Sequence, residues 1–352
     1  MECKCSVGGK VLLFYNFIPL FNVEHIAQQL KELSATLKIS GKIKLSTQGY
    51  NVTMAGSLLA VKEFMNYFMQ NYIPNLQSLT VEQIEKFRHD FFKPTNGCVH
   101  AFDGVRIKIV NELCQFDGVA TNQRQITSDR IIASIRGVSC NQLFTLAPNL
   151  FHEEATKANV MLLDLRNYYE SQIGFFEGAV TPPIRKFSGL KNWIEFQPKP
   201  EATKILTYCT GGVRCEQAES YLRKKFDNVF MLEGGIHNYM EWVKANPKKS
   251  IFKGANYVFD GRQSEPGNQT VSFCTVCNEP CEHMIKCYGT DCHLLIIQCK
   301  NHSVIRYCCE MCRTMIVEPR NETKLKPGQT RIKRQICFCE KKRRDLLLLP
   351  MM

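Results

Sequence analysis

The run Cys209-Thr210-Gly211-Gly212-Val213-Arg214 has the make-up of an anion-stabilising loop around a reactive sulfur. An apolar stretch, Ile205-Leu206-Thr207-Tyr208, precedes it, and Glu216, Ala218, Tyr221 and Leu222 follow in a helical pattern. The cysteine therefore stands where a strand ends, on a glycine-rich turn that opens a helix. Backbone N–H groups of such a turn converge on the sulfur, and the helix N-terminus adds partial positive charge. Arg214 adds a full charge. All three favour thiolate over thiol, so Cys209 is expected to be reactive near neutral pH. The plainer alternative is a buried cysteine before an ordinary turn; the two glycines and Arg214 weigh against it.

Four residues separate Cys209 from Arg214, and Cys215 takes the next position. A loop that encircles phosphate, as in tyrosine phosphatases, needs one residue more. The shorter loop suits a smaller cargo, the terminal sulfur of a persulfide. His152-Glu153-Glu154 is the only formal match to a non-haem iron pattern, and it reads as chance on an amphipathic helix. No glycine-rich dinucleotide fingerprint is present.

A second set of chemically capable residues lies near the C-terminus. Of 18 cysteines, nine fall between Cys274 and Cys312. The first 270 or so residues read as an ordinary reducing-compartment enzyme, so the cluster points to metal binding rather than disulfides. Cys274-x-x-Cys277 and Cys299-x-x-His302 have zinc-knuckle spacing. Two interleaved sites are expected: Cys274, Cys277, Cys299 and His302; and Cys287, Cys292, Cys309 and Cys312. Cys281 and Cys308 are spare candidates. Zinc here is expected to be structural, because a module this small buries little core. The plainer alternative is free thiols or disulfides. Cys337 and Cys339 have no assigned role.

The elements that must position the loop are legible around it. Val160-Met161-Leu162-Leu163 ends at Asp164, and Val229-Phe230-Met231-Leu232 ends at Gly234-Gly235. With Ile205–Tyr208 and intervening helices they predict an α/β domain over residues 128–247 with a parallel sheet. Its chemistry belongs at the C-terminal strand ends, where Asp164, Cys209 and Gly234 fall. Upstream, residues 10–18 read as a strand, and Val23, Ile26, Ala27, Leu30, Leu33 and Leu37 recur at helical spacing. Strands around 42–46 and 50–54 follow, then a helix marked by Leu58, Val61, Phe64, Met65 and Phe68, then strands near 78–84 and 105–111. The order β-α-β-β-α-β predicts a ferredoxin-like α+β domain over residues 8–115. Phe87, Arg88, Phe91, Phe92, Lys93 and Pro94 could stack bases and pair phosphates, or simply pack. Gly118 to Thr127 reads as a linker, 256–315 as the cysteine-rich module and 316–352 as a basic tail that contacts nucleic acid or is merely solvated.

At 352 residues the chain is long enough for two or three domains, and 44% apolar residues supply real cores. A formal charge of +12 suits a polyanion such as RNA, though solubility alone would also account for it. Val11 to Phe21 is interrupted by Asn16 and Pro19 and lacks a cleavage site, so it reads as a buried strand, not a signal peptide. Leu346 to Met352 is too short to span a bilayer. A soluble, cytoplasmic protein with no membrane partner is expected.

The loop spacing resembles the rhodanese active site. Asp164-x-Arg166, Glu170, Gly178-Ala179 and Leu232-Glu233-Gly234-Gly235 resemble rhodanese motifs as well. Taken together, Cys-Thr-Gly-Gly-Val-Arg-Cys-Glu from Cys209, Asp-Leu-Arg-Asn-x-Tyr-Glu from Asp164 and Leu-Glu-Gly-Gly-Ile-x-x-Tyr from Leu232 resemble the tRNA uridine-34 hydroxylase family. Val258-Phe259-Asp260-Gly261-Arg262 and Cys274-x-x-Cys277-x-x-Pro280-Cys281 match it too, so the resemblance covers roughly residues 10–315. It implies a ferredoxin-like domain, a rhodanese domain and a cysteine-rich segment, and oxygen-dependent conversion of the wobble uridine, in the tRNA anticodon region, to 5-hydroxyuridine. It assigns the catalytic role to Cys209, with Arg214 and the loop residues Thr210, Gly211, Gly212 and Val213 stabilising its thiolate or persulfide, and Asp164, Arg166 and Cys215 supporting. The family's N-terminal turn reads Glu-Gly-Ile-Asn-Gly-Thr; here it reads Gln48-Gly49-Tyr50-Asn51-Val52-Thr53. The bare residues speak more directly for sulfur chemistry, so a persulfide sulfurtransferase with its own donor or acceptor stands as the alternative.

Overall fold

The computed structural model describes residues 8–116, 127–136, 144–198, 200–246, 249–289, 292, 294–302, 307–314 and 337–349. The linker 118–126 and the basic residues Arg331, Lys333 and Arg334 lie outside them.

The N-terminal unit runs β1 (Gly8–Phe17), α1 (Val23–Thr36), β2 (Ser40–Ser46), β3 (Gly49–Gly56), α2 (Leu58–Tyr72), α3 (Val81–Phe92), β4 (Thr95–Cys98) and β5 (Val105–Ile109). Its sheet has the order β4-β1-β3-β2-β5, the ferredoxin-like order with β5 added in parallel beside β2. The expected strand at 78–84 is instead a 3-10 turn, Leu76–Ser78, followed by α3. Thr80 accepts from the Gln83 N–H and Gln83 accepts from the Thr80 N–H, a capping box that starts a helix where Val81 alone suggests a strand. The fourth ferredoxin-like strand is therefore β4, and the strand expected at 105–111 is the extra edge strand.

α1, α2 and α3 cover one face of this sheet. Phe14 of β1 meets Phe64, Phe68, Phe91 and Phe92 at ring-centroid distances of 4.7–6.4 Å. Such pairs add about 0.5–1.5 kcal/mol each beyond area burial. Phe87, Phe91 and Phe92 are fully buried, so these aromatics pack rather than wait for bases. The opposite sheet face carries Leu13, Tyr15, Lys42, Lys44, Asn51 and Thr53, and it is this face that meets the second unit.

The second sheet has the order β6-β10-β9-β7 and is parallel throughout, from β6 (Thr145–Leu146), β7 (Val160–Asp164), β9 (Lys204–Tyr208) and β10 (Val229–Leu232). Around it lie α5 (Pro148–Ala155), α6 (Tyr168–Ile173), α7 (Leu190–Glu195), α8 (Val213–Lys225) and α9 (Gly235–Ala245). β8 (Gly174–Phe176) leaves this sheet and pairs with β11 (Phe252–Gly254).

The units interlock. α4 (Thr127–Ile135), expected with the second unit, places Ile131 and Ile132 in the first unit's core. Conversely Phe116, at the end of the first unit, is fully buried in the second core and stacks on Phe187 at 5.1 Å. The remaining chain forms the hairpins β12 (Asn256–Tyr257)/β13 (Ser264–Glu265) and β14 (Met284–Lys286)/β15 (Leu295–Ile297), then α10 (Glu310–Thr314) and α11 (Phe338–Leu346). α11 carries Lys341, Lys342, Arg343 and Arg344, but Arg343 and Arg344 are paired with Glu340, and Arg343 donates to the Pro183 carbonyl. That much of the basic tail is docked. Among the described residues no helix is long and apolar enough to cross a membrane.

Candidate active site and cysteine clusters

β9 delivers Cys209 to its C-terminal end and α8 begins four residues later, as the sequence pattern requires. Gly212 holds φ +102°, a conformation that L side chains rarely adopt, and its N–H donates to the Cys209 sulfur at 3.1 Å. A Cβ on Gly212 would also meet the Tyr15 hydroxyl at 2.8 Å. The turn after β10 closes on the same loop: the N–H groups of Ile236 and His237 donate to the carbonyls of Cys209 and Thr210. A Cβ on Gly235 would sit 2.5 Å from the Cys209 carbonyl oxygen, so only glycine allows this approach.

Cys209 is fully buried. Burial pushes its thiol up, but hydrogen bonding from the Cys215 thiol, the Arg214 charge and the backbone amides of Cys215 and Arg214 outweigh it and hold Cys209 at about 5. Cys215 is driven the opposite way, first by burial and then by the anion it donates to, so it stays protonated. Alkylation of Cys209 by a small electrophile should therefore keep a nearly constant rate from neutral pH down to about pH 6 and fall to half near pH 5. A rate that instead halves near pH 8 would show an ordinary thiol.

Arg214 does not point its guanidinium at the sulfur. It forms a bidentate pair with Glu170 at 2.6 and 2.7 Å and donates to the Thr210 hydroxyl at 3.2 Å. Glu170 is fully buried and is itself fixed by the Asn167 N–H at the start of α6. Arg214 thus acts on Cys209 through space while locking the loop to α6. Asp164 and Arg166 stand apart from the sulfur as a fully buried pair. Arg166 donates to Asp164 through Nε and Nη2 and to the Gly174 carbonyl, and its guanidinium lies over the Tyr208 ring at 5.6 Å. The pair ties β7 to the end of α6 and backs the strand that carries Cys209.

A cavity of about 340 Å³ opens at the loop. Cys209, Thr210, Gly211, Val213 and Arg214 form one side, and the free face of the N-terminal sheet forms another, with Tyr15, Lys42, Lys44, Asn51 and Thr53. Cys114, Lys186 and Phe259 are among the other residues that line it. Tyr15 donates to Glu216, which also pairs with Arg130, so β1, α4 and α8 meet beside the loop. The sequence does not single out these wall residues, although 42/44 and 51/53 alternate polar against buried 43/45 and 52/54. That pattern fixes a second sheet face but not whether water or protein covers it. His152, of the chance iron pattern, hydrogen-bonds the Tyr239 hydroxyl at 2.9 Å.

The cysteines gather in three groups of four ligand atoms, each group lying within 4.8 Å. Cys274, Cys277, Cys299 and His302 come together as expected from their spacing. The N–H groups of Val276 and Cys299 donate to the Cys274 sulfur. The second expected set is regrouped: Cys308, not Cys309, joins Cys287, Cys292 and Cys312. Cys308, two residues ahead of α10, brings its sulfur to 3.4 Å from that of Cys312. Cys309 instead groups with Cys308, Cys312 and Cys337. Cys281 joins none of the groups. Sulfur–sulfur separations of 3.4–3.9 Å within the groups fit the edge of a tetrahedron around zinc, roughly 3.8 Å for a 2.3 Å zinc–sulfur bond.

A parallel sheet with a cysteine-headed loop between strand and helix defines a rhodanese-like protein, and residues 147–241 match the rhodanese-like domain family. Residues 9–113 match the UPF0176 acylphosphatase-like domain, and 253–313 match the rhodanese C-terminal domain. The tRNA uridine(34) hydroxylase of Bacillus pumilus is 30% identical over 316 residues, covering 87% of this chain and 88% of its own length. The enzyme of that name from Bacillus licheniformis is 30% identical with 89% of each chain covered. The chain belongs to the tRNA uridine(34) hydroxylase family. Rhodanese-like domain-containing protein 6 of Arabidopsis thaliana is also 30% identical over 317 residues, and the chain spans 52% of that protein's length.

Proposed function

We propose that the protein hydroxylates uridine 34 of tRNA to 5-hydroxyuridine, with Cys209 as the reactive sulfur and molecular oxygen as co-substrate. The observation that carries this reading is the cavity at Cys209, walled by two units and lined by Lys42, Lys44, Lys186 and Arg214. A sulfurtransferase acting on a small anion needs only the loop. A lysine-bearing sheet face laid over it suits a larger anionic substrate, and kinship with enzymes named for tRNA uridine 34 supplies which one.

In this reading the loop amides, the Cys215 thiol and the Arg214–Glu170 pair keep the Cys209 sulfur anionic, and Asp164–Arg166 holds the strand beneath it. The lysines meet backbone phosphates around the anticodon. Replacing Lys44 and Lys186 together by alanine should weaken tRNA binding and flatten its salt dependence, by nearly one logarithmic unit for each phosphate no longer neutralised. An unchanged slope would remove the cavity wall from the RNA-binding surface. The first cysteine group and the Cys287 cluster hold structural zinc, which supplies the fixed crosslinks that the module's small core does not. None of the 15 described cysteines is in a disulfide, which agrees with the zinc reading.

The enzymatic test is nucleoside mass spectrometry of tRNA from cells with and without the protein. Loss of 5-hydroxyuridine and nucleosides built from it is expected. Unchanged tRNA would favour the sulfurtransferase reading, in which the ring of amides around Cys209 holds a persulfide for a protein or small-molecule acceptor.

A further inference from the structure

Six sulfurs crowd the second cysteine cluster, more than one tetrahedral ion can bind. Four sulfurs around a single metal each have three sulfur neighbours. Cys308 has five: Cys287, Cys292 and Cys312 in one group, and Cys309, Cys312 and Cys337 in the other, with Cys312 common to both. Its sulfur lies 3.5 Å from Cys292, 3.4 Å from Cys312, 3.7 Å from Cys337 and 3.9 Å from Cys309. Cys312 has the same five-fold surroundings. Five neighbours are what a vertex has when two tetrahedra share an edge, and the shared edge here is Cys308–Cys312.

We propose that this cluster binds two zinc ions, with Cys308 and Cys312 bridging them. Cys287 and Cys292 complete the first ion's shell, and Cys309 and Cys337 the second's. The proposal rests on the zinc reading above and goes beyond it in ion number, in the bridges and in Cys337. Six thiolates around two divalent ions leave a net charge of −2, against −4 for two separate four-thiolate sites, which eases burial of the group. Backbone donors are already in place on the terminal sulfurs: Gly289 and Cys308 N–H groups point to Cys287, and the Glu340 N–H to Cys337. Gly289 lies where a Cβ would strike the Cys312 sulfur at 2.8 Å, so glycine permits the close turn around the shared edge. Cys292 and Cys337 also lie 3.6 Å apart across the two tetrahedra, and drawing in the ions would open that contact.

Cys337 caps α11, beyond the end of the C-terminal family match at 313. The second ion would therefore clasp this helix to the module. The rest of this segment is fitted for it: Arg343 lies over the Tyr168 ring, Glu340 faces Arg185, and beyond α11 the Leu349 carbonyl accepts from Gln197.

Native mass spectrometry of the zinc-loaded full chain should count three zinc ions, one in the Cys274 group and two in this cluster. Cys337→Ala should lose one ion, Cys308→Ala two, and Cys277→Ala one. Two ions in the wild type, with none lost in Cys337→Ala, would overturn the two-ion cluster while leaving structural zinc intact. A metal-free, disulfide-bonded chain would overturn both. Because a variant can misfold, the cadmium-substituted wild type provides a second reading by cadmium-113 resonance. Two mutually coupled lines through shared thiolates are expected beside one uncoupled line; three uncoupled lines would rule out the bridges.

Discussion

Cys209→Ser should abolish 5-hydroxyuridine formation while leaving the protein folded and able to bind tRNA. Serine nearly matches cysteine in size, so the loop geometry around Gly212 and the Gly234-Gly235 turn should survive. What disappears is the anion. The Cys215 thiol, the Arg214 charge and the loop amides outweigh burial and hold this sulfur charged at about 5, whereas a serine hydroxyl stays neutral in the same setting. The loss should be at least about a thousandfold, on the scale found when nucleophiles are removed from catalytic sites. Cys215→Ala should lower activity by a smaller factor, since it removes one donor of several to the anion. Substantial activity in Cys209→Ser, with tRNA binding intact, would move the chemistry away from the loop.

The largest effect on stability is expected at Asp164, not in the cavity. Asp164→Ala leaves the Arg166 guanidinium inside the protein without its paired carboxylate. Both side chains are completely shielded from solvent, and Arg166 Nη1 already lacks a hydrogen-bond partner. Ser171 also loses its acceptor. Removing one member of a buried pair costs about 3–5 kcal/mol, a large share of the stability of an ordinary domain. Urea denaturation should show the midpoint collapse, or no folded protein at all. Asp164→Ala combined with Arg166→Leu should recover part of the loss, because the stranded charge is gone. A change below about 1 kcal/mol in the single variant would mean that the pair is relaxed by water.

The loop and its supports are readable because strand, glycine turn and helix lie within one contiguous stretch, and the chemistry of Cys209 depends on its immediate neighbours. Arg214 is readable as a charge but not as the partner of Glu170, because nothing in the spacing of 170 and 214 sets two elements side by side. The cavity wall is harder for the same reason. Lys42 and Lys44 alternate with Ile43 and Leu45 as on any half-exposed strand, and only tertiary packing shows that the polar face is turned toward Cys209. The helix at 81–92 has a local signal in Thr80 and Gln83 that the β-branched Val81 masks. In the cysteine module the spacing alone brings Cys274, Cys277, Cys299 and His302 together. It sets Cys309 beside Cys287, Cys292 and Cys312, where the structure gathers Cys308, because spacing alone does not distinguish two adjacent cysteines. Cys337 is beyond its reach, because the neighbours of that sulfur lie far away in sequence.

Hydroxylation at Cys209 is tested most directly with purified protein, a tRNA lacking modification at uridine 34, and oxygen-18 gas, with nucleosides then read by mass spectrometry. 5-Hydroxyuridine carrying the heavy oxygen is expected, formed by the wild-type chain and absent with Cys209→Ser. Unmodified uridine 34, together with sulfur transferred from a persulfide donor through Cys209, would contradict it.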